Sequence, residues 1–230
     1  MGARLEHLGP QHLDPELRLR LRRQSGGDGA TALLLYAGRL SPEKNLALLI
    51  EVMERLTTPA KFKSTGRQIE ASPDCRLLIE GSGPLEGWLR EQGHRLGGRV
   101  RLLGHLSDCN EMARLLASVD VFVHPNPREP FGIGPLEAMA SGTPLVAPDA
   151  GGVLDYADAT CAWLAKPDGE AFAAAVLEVL SNPPAARAKA QRARQVAERY
   201  DWQRSRGNSS TPTRPFTPVF SNSRMHKEMS

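Results

Sequence analysis

The sequence predicts an α/β domain built on a doubly wound parallel sheet. Three observations carry that expectation. Short continuous apolar runs of strand length recur along the chain, segments of helical spacing lie between them, and Gly-, Pro- or Ser-containing turns separate the two. Strands alternating with helices imply βαβ units and a sheet covered on both faces. A strand buried on both faces reads as an unbroken apolar run.

The elements follow in order. Residues 1–30 read as a polar segment or linker, in which Asp14-Pro15-Glu16 marks a helix start, with proline at the first helical position and acid in the first turn. The basic run Arg18 to Arg23 reads as a solvated helix face or as a weak contact with an anionic membrane. Ser25 to Gly29 breaks the helix. Leu33 to Ala37 is the first strand, and Asn45 to Leu56 a helix with Leu46, Leu49, Ile50, Met53 and Leu56 on one face. Further strands are expected at Arg76–Ile79, Val100–Leu103, Val119–Val123, Thr143–Ala147 and Cys161–Leu164, which makes six in all. Helices are expected at Pro84–Leu96, Asn110–Ala117, Pro135–Ala140, Gly169 to about Leu180, and Ala185–Arg199. Residues 201–230, rich in Ser, Thr and Pro, read as a disordered tail.

Composition narrows the function. A formal net charge of +3 is too balanced to indicate a nucleic-acid binder. The three cysteines, Cys75, Cys109 and Cys161, form no CxxC or Cys/His cluster, which argues against a structural metal or a disulfide framework. All three sit in or beside apolar stretches and are expected as buried free thiols in a reducing, cytoplasmic setting. No apolar run approaches the roughly 20 residues a membrane span needs, and Met1 to Pro10 lacks the apolar core of a signal peptide.

In an open parallel sheet, ligands bind beyond the carboxyl ends of the strands, so the loops after the strands are the places to look. Gly38-Arg39-Leu40-Ser41-Pro42-Glu43-Lys44-Asn45 places two cations around a turn into a helix, which suits a diphosphate or, equally, two solvated surface cations. Glu80-Gly81-Ser82-Gly83-Pro84 lets backbone approach a ligand or supplies turns that need glycine. His105 follows a strand directly and is either a ligand contact or a structural histidine. The segment from His124 to Ala140 holds two carboxylates, Glu129 and Glu137, with seven residues between them. Glu129 is expected in the loop and Glu137 in the first helical turn. Carboxylates there can accept hydrogen bonds from the hydroxyl pairs of a ribose or sugar, and Gly132 and Gly134 would free backbone N–H groups for phosphate oxygens.

These motifs together resemble the retaining GT-B glycosyltransferases of family 4 (glycosyl transferases group 1). Glu129 to Glu137 is similar to that family's E-x7-E motif, Gly38 to Asn45 to its GR-x-x-x-KN phosphate loop, and Glu80 to Pro84 to its G-x-G-P loop. Ser141 to Ala147 and Gly151-Gly152 resemble the strand and glycine loop that follow E-x7-E, and the match runs from about Thr31 to about Arg199. The resemblance implies a Rossmann-like domain at 31–200, the C-terminal half of a GT-B fold, that binds a nucleotide-sugar. It implies transfer of a hexosyl group from a UDP- or GDP-sugar with retention. It gives Arg39, Lys44 and Glu129 catalytic roles, the cations on the diphosphate and Glu129 on the transferred sugar. Gly38, Gly81, Gly83, Phe131, Gly132, Ile133, Leu136 and Glu137 would bind the donor, with Glu137 on the ribose. No tightly bound cofactor and no metal are implied, in keeping with the lack of a DxD-type pair in these loops. The partners implied are the nucleotide-sugar, an acceptor sugar, lipid or glycan, and a separate acceptor-binding domain, without which the chain is incomplete. The location implied is cytoplasmic or peripheral at the inner membrane. A non-catalytic nucleotide-binding module is the competing expectation. A dehydrogenase is disfavoured because the first βα turn lacks GxGxxG.

Overall fold

The computed structural model describes residues 5–58, 61–64, 67–70 and 73–201. The expected tail therefore lies outside the described residues, apart from Asp201.

The strands are β1 (Ala32–Ala37), β2 (Lys61–Ser64), β3 (Arg67–Glu70), β4 (Cys75–Glu80), β5 (Val100–Gly104), β6 (Val121–Val123), β7 (Leu145–Pro148) and β8 (Trp163–Ala165). The helices are α1 (Pro15–Gln24), α2 (Leu46–Thr57), α3 (Glu86–Arg95), α4 (Cys109–Ala117), α5 (Ile133–Ala140), α6 (Gly169–Ser181) and α7 (Pro183–Ala197). Six strands form one parallel sheet in the order β5-β4-β1-β6-β7-β8, as expected of a doubly wound Rossmann-like fold. The antiparallel hairpin β2–β3 stands apart from it and is absent from the sequence-based expectation. The last sheet strand starts later than expected because the Cys161 and Ala162 N–H groups bond the Asp158 carbonyl in a turn.

The apolar runs divide by the pleat of the strands, which sends alternate side chains to opposite faces. Leu34, Tyr36, Leu77, Ile79 and Val121 pack with residues of α2, α3 and α6, among them Met53, Leu89 and Phe172. Leu33, Leu35, Leu78, Phe122 and Leu145 pack with residues of α1, α4, α5 and α7, among them Leu21, Leu116, Met139 and Ala193. Each buried Leu or Phe removes apolar surface worth roughly 1.5–3 kcal/mol from water, so both faces are committed to helix packing and the ligand surface is left to the strand ends.

Residues 5–30, read in the sequence as a polar segment or linker, pack against this domain. Asp14 caps α1 by accepting the Leu17 N–H at 2.9 Å, and Leu5 and Leu21 are buried in the second core. The basic run splits by helical period. Arg20 and Arg23 are exposed, whereas Arg18 and Arg22 pair with Asp120, whose carboxylate also accepts the Leu33 N–H at 2.8 Å. The buried Arg76 guanidinium donates to the carbonyls of Ser25 (2.7 Å) and Gly26 (2.8 Å), tying the turn after α1 to β4. A narrow apolar stripe, Leu17 and Leu21, and the ion pairs to Asp120 dock this otherwise polar helix.

Candidate functional site

All six parallel strands end on one edge, and β1 is flanked by β4 and β6, where the strand order reverses. The loops after β1 and β4 lie backbone to backbone. The Gly38 N–H donates to the Glu80 carbonyl at 3.1 Å, Leu40 N–H to Ser82 at 2.9 Å and Leu85 N–H to Leu40 at 3.0 Å. A β-carbon on Gly81 would sit 1.9 Å from the Gly38 carbonyl oxygen, and one on Gly83 would sit 2.4 Å from that of Leu40. These glycines are thus required by loop-on-loop packing.

The loop after β1 turns through a short 3-10 segment, Pro42–Lys44, and ends at Asn45, whose backbone is left-handed at φ 55°. Asn45 also donates its Nδ2 to the Pro125 carbonyl at 3.0 Å, which ties this loop to the one after β6. Across that joint, Lys44 Nζ lies 2.7 Å from Glu129 Oε2, and Asn126 Nδ2 donates to the same oxygen at 3.2 Å. Burial opposes ionisation of Glu129, but the hydrogen bond and charge of Lys44, aided by Asn126, outweigh it and hold the carboxyl below its ordinary value. His124, buried beside them, is pushed down to about 4 by burial, with Lys44 adding to the effect against Glu129. Its ring is therefore neutral at pH 7.

The 127–133 loop is braced from beneath. Tyr156 donates its hydroxyl to the Gly132 carbonyl at 2.7 Å, and Phe131, Tyr156 and Tyr200 form an aromatic group with centroids 5.4 to 6.1 Å apart. The Gly152 N–H donates to the Glu129 carbonyl at 2.8 Å. A β-carbon on Gly152 would meet the Pro130 carbonyl oxygen at 2.1 Å. Gly132, at φ 84°, is the cap of α5.

Two cavities result. The smaller, of about 350 Å³, is lined by Tyr36, Gly38, Arg39, Lys44, His124, Glu129 and the backbone from Pro130 to Pro135 at the start of α5. The larger, of about 580 Å³, adjoins it at Ile133 and is walled by His7, Leu8, the loop Leu106 to Asp108, the start of α4 with Met112, and Glu137. Of the expected site residues, Gly38, Arg39, Lys44, Glu129, Phe131, Gly132 and Ile133 converge on the first cavity and Glu137 lines the second. Gly81 and Gly83 line neither, and Leu136 is fully buried behind them.

Two expectations are corrected. Glu137 is the fifth residue of α5, not in its first turn, because the helix starts at Ile133 on the Gly132 cap. Burial pushes its carboxyl up to about 7, with repulsion from Glu80 adding to the effect. Cys109, expected as a buried thiol, is exposed at the start of α4, while Cys75 and Cys161 are buried. The apolar face of α4 belongs to Ala113, Leu115 and Leu116, and position 109 turns to the larger cavity. A maleimide reagent should therefore label Cys109 selectively in the folded chain. Peptide mapping that finds Cys75 or Cys161 modified at the same rate would contradict this arrangement.

Sequence reasoning missed Glu80, which is 3% exposed, along with Tyr156 and Tyr200. Among the described residues no group of three or more His, Cys, Asp or Glu side chains comes together to hold a metal ion, and no helix is long and apolar enough to cross a membrane.

Two adjoining cavities, one with the Lys44–Glu129 pair and the other with the Glu137 carboxyl, thus lie at the switch point of a Rossmann-like sheet. The family model for glycosyl transferases group 1 matches residues 18–196, and the chain belongs to that family. It is 38% identical over 177 residues to the glycogen synthase of Mycobacterium tuberculosis, covering 75% of this chain and 40% of that one. It is 34% identical over 191 residues to that organism's GDP-mannose-dependent alpha-(1-6)-phosphatidylinositol dimannoside mannosyltransferase, covering 83% and 46%. The chain thus spans less than half the length of these relatives. The fold also matches the crystal structure of Anabaena HepE in complex with UDP-glucose, with a TM-score of 0.69 at 22% identity, over 90% of this chain and 55% of that one.

Proposed function

We propose that this chain is the donor-binding domain of a retaining, family 4 hexosyltransferase, and that its two cavities divide a nucleotide-sugar between them. The observation that carries this reading is the Lys44–Glu129 pair, 2.7 Å apart beside the start of α5. A diphosphate needs cations and free backbone N–H groups, and the smaller cavity offers Arg39, Lys44 and the amides of Ile133 and Gly134. A sugar ring needs carboxylate acceptors for its hydroxyls, and Glu129 is held ionised there. The larger cavity takes the nucleoside, with Glu137 accepting hydrogen bonds from the ribose hydroxyls.

In this reading Lys44 moves from Glu129 to the diphosphate when the donor binds, which releases the carboxylate for the sugar. Arg39, Lys44 and the N-terminal dipole of α5 then stabilise the charge that develops on the departing diphosphate, a task that needs preorganised donors rather than a proton relay. The donor is a UDP- or GDP-sugar. The HepE structure holds UDP-glucose and the mannosyltransferase relative uses GDP-mannose. The acceptor, a sugar, lipid or glycan, is read by a separate domain, and a lipid acceptor would place the reaction at the cytoplasmic face of the inner membrane.

Calorimetric titration with UDP, GDP, ADP and UDP-glucose tests the reading. One nucleotide should bind saturably, and Lys44→Ala should weaken it about 30- to 100-fold, the loss of one charge-assisted contact, while the free nucleoside loses little. Equal losses for both would remove the diphosphate role. Binding of none of the four by the folded chain would sink the donor-domain reading.

A further inference from the structure

Glu80 ends β4 with its side chain almost wholly buried, at 3% exposure. A buried carboxyl is costly unless its oxygens are satisfied. Glu80 Oε1 accepts the Leu106 N–H at 2.9 Å and lies 3.1 Å from His105 Nδ1. Both partners belong to the loop after β5, the edge strand of the sheet. The β4–β5 register shifts between Ile79 and Glu80, which pairs with Gly104, itself at φ 79°. Where the strand ladder gives out, this side chain takes over the hydrogen bonding that a continuing strand would supply. Leu106, held this way, and the Ser107 and Asp108 that follow it before α4 begins all wall the larger cavity.

From this geometry we infer that Glu80 is a positioning residue for the nucleoside half of the donor: it fixes the loop after β5 as a wall of the larger cavity. The inference rests on the donor-domain reading and adds to it a residue that touches neither diphosphate nor sugar. Glu80 also acts on the one ribose-facing carboxyl, since its charge adds to the burial of Glu137. Its side-chain hydrogen bonds go to the loop that walls the nucleoside compartment. The smaller cavity, which holds Arg39, Lys44 and Glu129, does not include it.

The test uses the full chain, the nucleoside diphosphate that it binds out of UDP, GDP and ADP, and inorganic pyrophosphate as a probe of the smaller cavity alone. Glu80→Ala should weaken the nucleotide about tenfold and leave pyrophosphate binding unchanged. Glu80→Gln, which keeps an acceptor for the Leu106 N–H, should restore most of the affinity. If Glu80→Ala fails to fold, Glu80→Leu fills the space without an acceptor and carries the same comparison. Wild-type nucleotide affinity in the Ala or Leu variant overturns the inference, as does a proportional loss of both ligands, which would mark a merely structural residue. A wild-type chain that binds none of the nucleotides overturns the donor-domain reading, and this inference with it.

Discussion

Gly81→Ala should cost the domain roughly 3–5 kcal/mol and lower its melting temperature by on the order of 10 °C. Two penalties combine. The backbone at Gly81 has φ 126°, a conformation that an L side chain rarely adopts. The new β-carbon would also fall 1.9 Å from the Gly38 carbonyl oxygen, a backbone atom that cannot swing aside. Relief requires the loop after β1 to move, and that loop carries Gly38, Arg39 and Lys44 into the smaller cavity. Nucleotide affinity should therefore fall together with stability. Gly97→Ala is the control. Its φ is 63°, but nothing lies within 4 Å of the added carbon, so only the conformational cost of about 1 kcal/mol applies. Thermal unfolding in which the two variants melt alike would refute the close-packed loop pair.

Glu137→Gln should stabilise the chain at pH 8 and leave it unchanged at pH 4. The Glu137 carboxyl titrates at about 7 in the fold against 4.5 as its ordinary value, because burial, reinforced by Glu80, disfavours the charged form. For a group whose value is raised on folding, the protonated fold carries no penalty below the unfolded value. As pH rises from about 4.5 to about 7 the unfolded chain ionises while the folded one resists, and stability is lost. Above that window the loss is constant at roughly 3 kcal/mol. Glutamine has the same shape without the charge and so removes the loss. The wild-type–variant difference in chemical denaturation should open between pH 4.5 and pH 7 and then level off. A difference independent of pH would refute the assignment. In the proposed role the same variant should bind nucleoside less well, since one carboxylate accepts from both ribose hydroxyls and an amide from one. Stability gained where binding is lost is the signature of a site strained for function.

Much of the fold is legible in the sequence because the sheet is buried on both faces. Leu33 to Ala37 and Arg76 to Ile79 read as strands from apolar continuity alone, and the structure places β1 and β4 there. The hairpin β2–β3 is not legible in the same way, although Lys61-Phe62-Lys63-Ser64 and Arg67-Gln68-Ile69-Glu70 alternate around a glycine. Its alternation spans only four residues on each side, too short a window to stand out beside the buried runs. Residues 5–30 read as linker because α1 is polar on most of its surface. What docks it is two leucines and an Asp120 about a hundred residues away in sequence, which no local pattern reveals.

The candidate site divides the same way. Local sequence determined which residue types stand at the strand ends: the cations of the first loop, the glycines, and the two carboxylates with seven residues between them. Motif spacing expresses chain geometry over a few residues, and such geometry is carried by backbone preference. Only the tertiary structure decided that Lys44 meets Glu129, that Glu137 is buried near Glu80 with a raised titration point, and that Glu80 holds the loop wall of a second cavity. Those facts arise from contacts between loops that follow different strands, whose distances are set by strand order and whose electrostatics are set by burial, and neither quantity exists until the sheet has formed.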